Sequence, residues 1–178
     1  WVYLPTSNCQ IERAMKRAGI TDPGDLSLRM GDSLFPVEID VALDFQCEDI
    51  YALNELAKAV DKLSNDDRMK LGVVVGTARP ENANQICRLA ENLDLFEFAP
   101  GAHTPAEYGK FMIQQSGYFN YDPALDEFYD YERYGRQHMD SGTGMFTDRG
   151  YIAYIGTESL EELMGENQEQ MQGVMDMQ

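Results

Sequence analysis

Apolar and polar residues recur along this chain with two periods, and each period predicts a different kind of element. In VEIDVALDF, Val37, Ile39, Val41, Leu43 and Phe45 alternate with Glu38, Asp40, Ala42 and Asp44. A period of two predicts a strand with one wet, acidic face. VYLP (2–5) reads as an earlier strand, and DLSLRM (25–30) as another after the Asp22-Pro23-Gly24 turn. Between them Ile11, Ala14, Met15 and Ala18 fall at i, i+3, i+4 and i+7, one face of a helix. Ser7-Asn8-Cys9-Gln10 has the S-x-x-Q form of a capping box ahead of it, and Gly19 is placed to close it. The first third therefore reads as a small sheet with one helix.

The helical period takes over in the middle. Ile50, Leu53, Leu56, Ala57, Val60 and Leu63 predict a helix over 48–63. Asn65-Asp66-Asp67 opens a second, with acids suited to its first turn, and Ala83, Ile86, Cys87 and Ala90 mark a third over 81–92. LDLFEF (93–98) reads as a short strand. Thr104-Pro105-Ala106-Glu107 combines a capping box with Pro at the first helical position. That helix carries Tyr108, Phe111 and Met112, and Gly117 is its stop. A short helix is predicted at 124–135, with Gly135 just past its end and Arg136 pairing with a nearby carboxylate. Strands at 143–147 and 150–155 follow, turned by Asp148-Arg149-Gly150. The order of elements predicts an α+β chain of three small domains in a row. These are an α+β unit at 1–47, a helical unit at 48–98 and a second α+β unit at 99–157. A tail at 158–178 begins as a helix and drifts into Met/Gln/Glu bias, with six acids and no base.

Charge changes this picture more than composition does. The 178 residues hold 31 acids and 14 bases, a net −17. Up to residue 37 there are four of each (Glu12, Asp22, Asp25, Asp32; Arg13, Lys16, Arg17, Arg29), so the other 27 acids and 10 bases carry the whole imbalance. Such a field repels nucleic acid and anionic membrane and attracts basic surfaces. No run of about 18 apolar residues is present, so no membrane span is expected. The opening WVYLPTSNCQ has neither Met nor a basic-then-apolar leader pattern, and reads as part of a longer chain. Three cysteines, Cys9, Cys47 and Cys87, lie far apart and form no C-x-x-C pair. They read as buried, reduced thiols of a cytosolic protein.

Catalytic signatures are missing from the sequence. There is no G-x-S-x-G elbow and no G-x-x-x-x-G-K-[ST] loop, so Gly72 and Gly76 are not a phosphate cradle. His103 and His138 are the two histidines; His138 with Asp130 or Asp140 is a weak metal set. Carboxylates are too abundant for a pair to signal glycoside hydrolysis. The expectation is a protein that is not an enzyme and needs no cofactor or metal.

The densest chemistry lies at 118–132. Five carboxylates (Asp122, Asp126, Glu127, Asp130, Glu132) are interleaved with Tyr118, Phe119, Tyr121, Phe128, Tyr129 and Tyr131, without a single Lys or Arg. Duplex DNA carries one charge per about 1.7 Å, so a net −17 equals about 29 Å of duplex. If 37–45 is a strand, Glu38 and Asp40 project about 6.7 Å apart, within a factor of two of the roughly 3.4 Å phosphate spacing of one strand. Plain solubility is the alternative reading of the same acidity.

The run Phe128-Tyr129-Asp130-Tyr131-Glu132-Arg133-Tyr134-Gly135-Arg136, then Gly144-Met145-Phe146 and Gly150-Tyr151-Ile152, resembles the C-terminal signature of the ArdA antirestriction family. Trp1-Val2-Tyr3-Leu4-Pro5 resembles its early strand. The resemblance implies an elongated homodimeric DNA mimic of three small domains, encoded on mobile elements and acting in the bacterial cytoplasm. It would occupy the DNA-binding cleft of type I restriction–modification enzymes without binding nucleic acid itself. Glu38, Asp40, Asp44, Asp122, Asp126, Glu127, Asp130 and Glu132 would then stand in for phosphates. Tyr108, Phe119, Tyr121, Leu125, Phe128 and Tyr131 would form the antirestriction motif and dimer contact. Family members usually carry a further N-terminal strand, and the Met/Gln tail runs past their usual end. Two other readings stand beside this one: the same mimicry aimed at another DNA-binding defence protein such as an RNA-guided nuclease, and an acidic adaptor for a basic protein segment.

Overall fold

A computed structural model describes residues 1–139 and 143–165; the later part of the acidic tail lies outside the described residues. The described residues are mixed, with helices and one antiparallel sheet of three strands, as the α+β reading requires.

The first third departs from expectation. No strand forms at 2–5, 25–30 or 37–45, so the predicted N-terminal sheet is replaced by extended chain and helix. Val2, Leu4, Leu26 and Leu28 pack against Ile11, Met15 and Ile50 as alternating positions should, but no strand lies alongside to pair with them. A buried amide takes the neighbouring strand's place. Asn54 accepts from the Thr6 N–H (2.8 Å) and donates to the Thr6 carbonyl (2.9 Å), using both ends of its side chain as a peptide group would. Helix α1 (Asn8–Arg17) buries Ile11 and Met15, and Gly19 follows at φ +76°. Its capping box does not form: Ser7 makes no side-chain cap bond, and the Gln10 amide oxygen accepts from Thr6 instead.

VEIDVALDF becomes a helix, α2 (Val37–Ala42), followed by an extended Leu43. A period of two contains pairs four apart. On a helix those pairs separate: Ile39 and Leu43 are buried, while Val37 and Val41 on the other side are 58% and 81% exposed. Pro36, at φ −50°, starts the turn, and Ile39 already has buried neighbours on α4 to meet.

The middle helices form as predicted. Each has its own side-chain cap: Asp49 for α3 (Ile50–Asp61), Ser64 for α4 (Asn65–Ala78) and Asn82 for α5 (Ala83–Glu91). They share one apolar cluster with Ile39, Leu43, Phe96 and Ile152. Of the predicted strand 93–98, the first half is a 3₁₀ turn, and β1 (Phe96–Pro100) begins at Phe96.

Thr104 caps α6 (Pro105–Gln114) through its hydroxyl, while Glu107 accepts from the His103 N–H, one residue before the position a capping box uses. The predicted helix at 124–135 is two pieces. A 3₁₀ segment covers Pro123–Phe128, and α7 runs over Tyr131–Met139. Gly135 is therefore mid-helix and buried, not a helix stop. A Cβ there would lie 1.9 Å from the Pro105 carbonyl oxygen, and one on Gly109 would lie 2.0 Å from that of Tyr131. The two glycines let α6 and α7 touch backbone to backbone. Strands β2 (Met145–Thr147) and β3 (Gly150–Tyr154) turn as predicted, and β3 lies between β1 and β2. A second cluster around Tyr108, Met112 and Tyr151 fills the space between this sheet and the α6–α7 pair. Helix α8 (Leu160–Met164) has a complete Ser159–Glu162 capping box, and Arg88 of α5 donates to its Met164 carbonyl (3.0 Å). The cysteine expectation fails in part: Cys9 and Cys47 are exposed and only Cys87 is half-buried, where desolvation raises its thiol pKa to about 12.

Candidate functional site

The aromatic–acidic segment is organised around one carboxylate. Asp126, in the 3₁₀ segment, receives the hydroxyls of Tyr121 (2.6 Å) and Tyr131 (2.5 Å) and the amide of Gln114 (2.8 Å), all on Oδ1. Gln114 sits at the end of α6, and its amide also reaches the Tyr131 hydroxyl (2.9 Å). The hub thus ties α6, the segment between, and α7 at one point. Three donors favour the charged carboxylate and hold Asp126 below the usual range. The same bonds favour protonated phenols. The Asp126 bond is the first cause of the rise at Tyr121; at Tyr131 desolvation comes first and the Asp126 bond second. Ring contacts Tyr121–Tyr129 and Tyr129–Tyr131, both at 5.8 Å, extend the array.

This hub separates the residues that sequence grouped together. Tyr108 is 1% exposed inside the second cluster and donates its hydroxyl to Glu97, so it is not placed to meet a partner. Tyr121 and Tyr131 turn inward to Asp126. Phe119, Leu125 and Phe128 stay exposed, with Tyr118, and Phe128 is 76% open. The carboxylates separate likewise. Asp122 caps the 3₁₀ segment through the Ala124 N–H (2.9 Å), and Asp130 accepts from the Arg133 N–H (3.0 Å) at the start of α7. Both remain exposed, as does Glu127. Glu132 is paired with Arg136 at 2.7 Å, one helical turn on, as expected for that arginine.

On α2 the pattern differs. Glu38 turns inward and meets Arg149 of the β2–β3 turn at 2.7 Å. Asp40 accepts from the Ser33 hydroxyl (2.7 Å), and Asp44 from the Gln46 N–H (3.2 Å) and the Cys47 thiol (3.3 Å). The strand-based spacing between Glu38 and Asp40 has no counterpart here, since the segment is helical. Gln114, Arg149 and the glycines at 72, 109 and 135 are structural partners that sequence did not single out as such. Gly72 and Gly76 entered the sequence reading only as a phosphate loop that is not there.

Among the described residues no group of three or more His, Cys, Asp or Glu is gathered to hold a metal ion, and no helix is long and apolar enough to cross a membrane. The shallow cavity nearest the segment, about 590 Å³, is lined by Asp130, Glu132, Arg133, Arg136 and Gln137 on one side of α7.

Against this geometry, a model of the ArdA antirestriction protein family matches residues 1–153. The chain belongs to the ArdA family. No curated protein matches it. ArdA membership makes it an antirestriction protein, from an inhibitor family rather than a known enzyme family, with restriction–modification enzymes as partners in general. The ArdA match spans the hub, the α6–α7 crossing and the sheet through Ala153, and stops before α8.

Proposed function

We propose that this ArdA protein inhibits type I restriction–modification enzymes by occupying their DNA-binding cleft as a DNA mimic, protecting incoming mobile DNA in the bacterial cytoplasm. The observation that carries the reading is the ordered acidic surface at 118–132. Asp122, Glu127 and Asp130 face solvent on a segment with no basic residue, held by the Asp126 hub, on a chain of net −17. Fixed carboxylates present charge without the entropic cost of ordering them on binding. Exposed Asp44, two residues past the end of α2, adds to the field, as does half-buried Asp40. Glu132 contributes little, because Arg136 cancels it locally.

Exposed Tyr118, Phe119, Leu125 and Phe128 supply the apolar contact of a homodimer. Sedimentation of a monomer at tens of micromolar would refute that contact. The division into three units at 1–47, 48–98 and 99–157 belongs to the same proposal.

The deciding experiment is a competition titration. Labelled duplex bearing a type I recognition site is bound to the enzyme, and the protein is added at two salt concentrations. Displacement near stoichiometric dimer is expected, and the protein's own binding to the enzyme should weaken with salt, as contacts between charged surfaces do. No displacement at large excess would transfer the target to another DNA-binding defence protein or to a basic peptide segment.

A further inference from the structure

Glu38 and Arg149 lie far apart in sequence, yet they form the polar link between the start of α2 and the tip of the β2–β3 turn. The arginine's Nη2 is 2.7 Å from Glu38 Oε1, with the glutamate side chain only 21% exposed. The other carboxylate oxygen, Oε2, is buried and has no hydrogen-bond partner. A carboxylate with one oxygen buried and unbonded is held there by the counter-ion beside the other. The site has been made for it on α4. A Cβ on Gly72 would lie 2.6 Å from Oε2, while one on Gly76 would meet only Glu38 Cγ at 3.7 Å. The two glycines therefore form a groove on α4 along which the glutamate lies, closest at Gly72. The arginine is fixed as well: its backbone N–H donates to the Thr147 hydroxyl (3.2 Å), and its carbonyl accepts from Gly101 at the end of β1 (2.9 Å).

We propose that Glu38 and Arg149 form a positioning clamp, seated in the Gly72–Gly76 groove, that holds α2 with its acid Asp40, and Asp44 just past its end, at a set place relative to the sheet. Glu38 is then a positioning residue and not a phosphate mimic. The clamp itself stands on geometry alone; its effect on inhibition rests on the DNA-mimic reading above.

Gly72→Ala tests it without removing any charge. The added methyl lies 2.6 Å from Oε2 and 3.2 Å from the Pro36 Cβ, so the carboxylate end must shift away, whereas Gly76→Ala makes an ordinary contact with Glu38 Cγ at 3.7 Å. Amide hydrogen exchange on the full chain is expected to rise about ten-fold at 37–43 and 147–151 in Gly72→Ala, with α5 unchanged and Gly76→Ala like the parent. Glu38→Ala added to Gly72→Ala is expected to change nothing more, since both break one interaction. Arg149→Met provides a second route and should loosen the same two segments. Equal exchange in the Gly72 and Gly76 variants, or a uniform rise over every helix, overturns the clamp. In the competition titration, Gly72→Ala should lose several-fold in potency with an unchanged salt slope, because its charge is unchanged. Unaltered potency alongside loosened segments overturns the positioning role. If the parent itself displaces no DNA, the mimic reading fails while the exchange result still decides the clamp.

Discussion

Residues 37–45 and 118–132 are written with the same ingredients, acids and apolar side chains in close alternation, and the fold uses them in opposite ways. At 118–132 one acid, Asp126, is drawn into a hub of hydroxyls and its neighbours Asp122, Glu127 and Asp130 stay outward. At 37–45 the chain coils into α2, Glu38 turns inward to Arg149, and two valines are left facing water. Alternation alone thus does not say which acids are available to a partner. The neighbours decide: a glycine groove with an arginine beyond it captures an acid, and phenolic hydroxyls with a glutamine capture another.

The comparison breaks most sharply at the scaffold beneath the aromatic segment. Gly135→Ala would gain roughly 1 kcal/mol in helix propensity. It would also drive a methyl to 1.9 Å from the Pro105 carbonyl oxygen, a backbone atom that cannot turn aside. Overpacking typically costs about 1–3 kcal/mol and more when backbones must separate, so the clash wins. Urea denaturation should show a net loss of about 2 kcal/mol or more, with near-UV dichroism of the tyrosines reduced before unfolding. Because 37–45 does not rest on α6 or α7, exchange in α2 should stay as in the parent below the transition. A stability equal to the parent would mean that the helices do not cross as closely as described.

The hub sharpens the comparison through pH. Asp126 has its pKa depressed in the fold by Tyr121, then Tyr131 and Gln114. A depressed carboxylate contributes stability above its ordinary unfolded pKa of about 4 and loses it as pH falls through the folded value. Tyr121 and Tyr131 have raised pKa values, so their contribution is complete below about pH 10 and disappears as pH rises through the folded values. Asp126→Ala should therefore do two things. It should remove part of the acid-side loss of tyrosine dichroism, and it should bring two tyrosines' worth of 295 nm absorbance to lower pH. An unshifted tyrosinate titration would show that the hydroxyls do not meet this carboxylate. No matching change is expected from Glu38→Ala, whose partner is a guanidinium.

How much of this was legible in sequence follows from the range of the interactions. α3 and α5 are legible because each carries a 3.6-period apolar face, while α4, whose buried residues run consecutively over 71–75, is legible only through the acids of its first turn. The β2–β3 turn is legible because Asp148-Arg149-Gly150 sits between two apolar runs. α2 is not, because the five apolar positions over 37–45 alternate as a strand does, and the choice of helix is made by Ile39 meeting α4. The extended N-terminal segments are legible as chain but not as a sheet, since Asn54, distant in sequence, replaces the missing strand. Of the candidate site, the position and sign of the 118–132 surface were legible, but its internal division was not. Gln114 carries no signal at the end of an amphipathic helix, and Gly135 reads as a helix stop until α6 is laid against it.

The smallest expected effect is the one that separates a mimic from an adaptor. Asp122 and Asp130 each have a capping role besides their charge, and Asn caps nearly as well as Asp. Asp122→Asn and Asp130→Asn, with Glu127→Gln, therefore remove charge while leaving the segment folded. A distributed field that drops from −17 to −16 should lose less than about two-fold in the competition titration. The three variants should resemble one another, since none is an anchor. An adaptor would behave differently, losing about 2 kcal/mol or more at one position and almost nothing at the other two. Equal small losses at 122, 127 and 130 sustain the outward acids as a surface read by its total charge. One large loss would make the Asp126 hub the frame of a single binding hot spot, and the resemblance to DNA incidental.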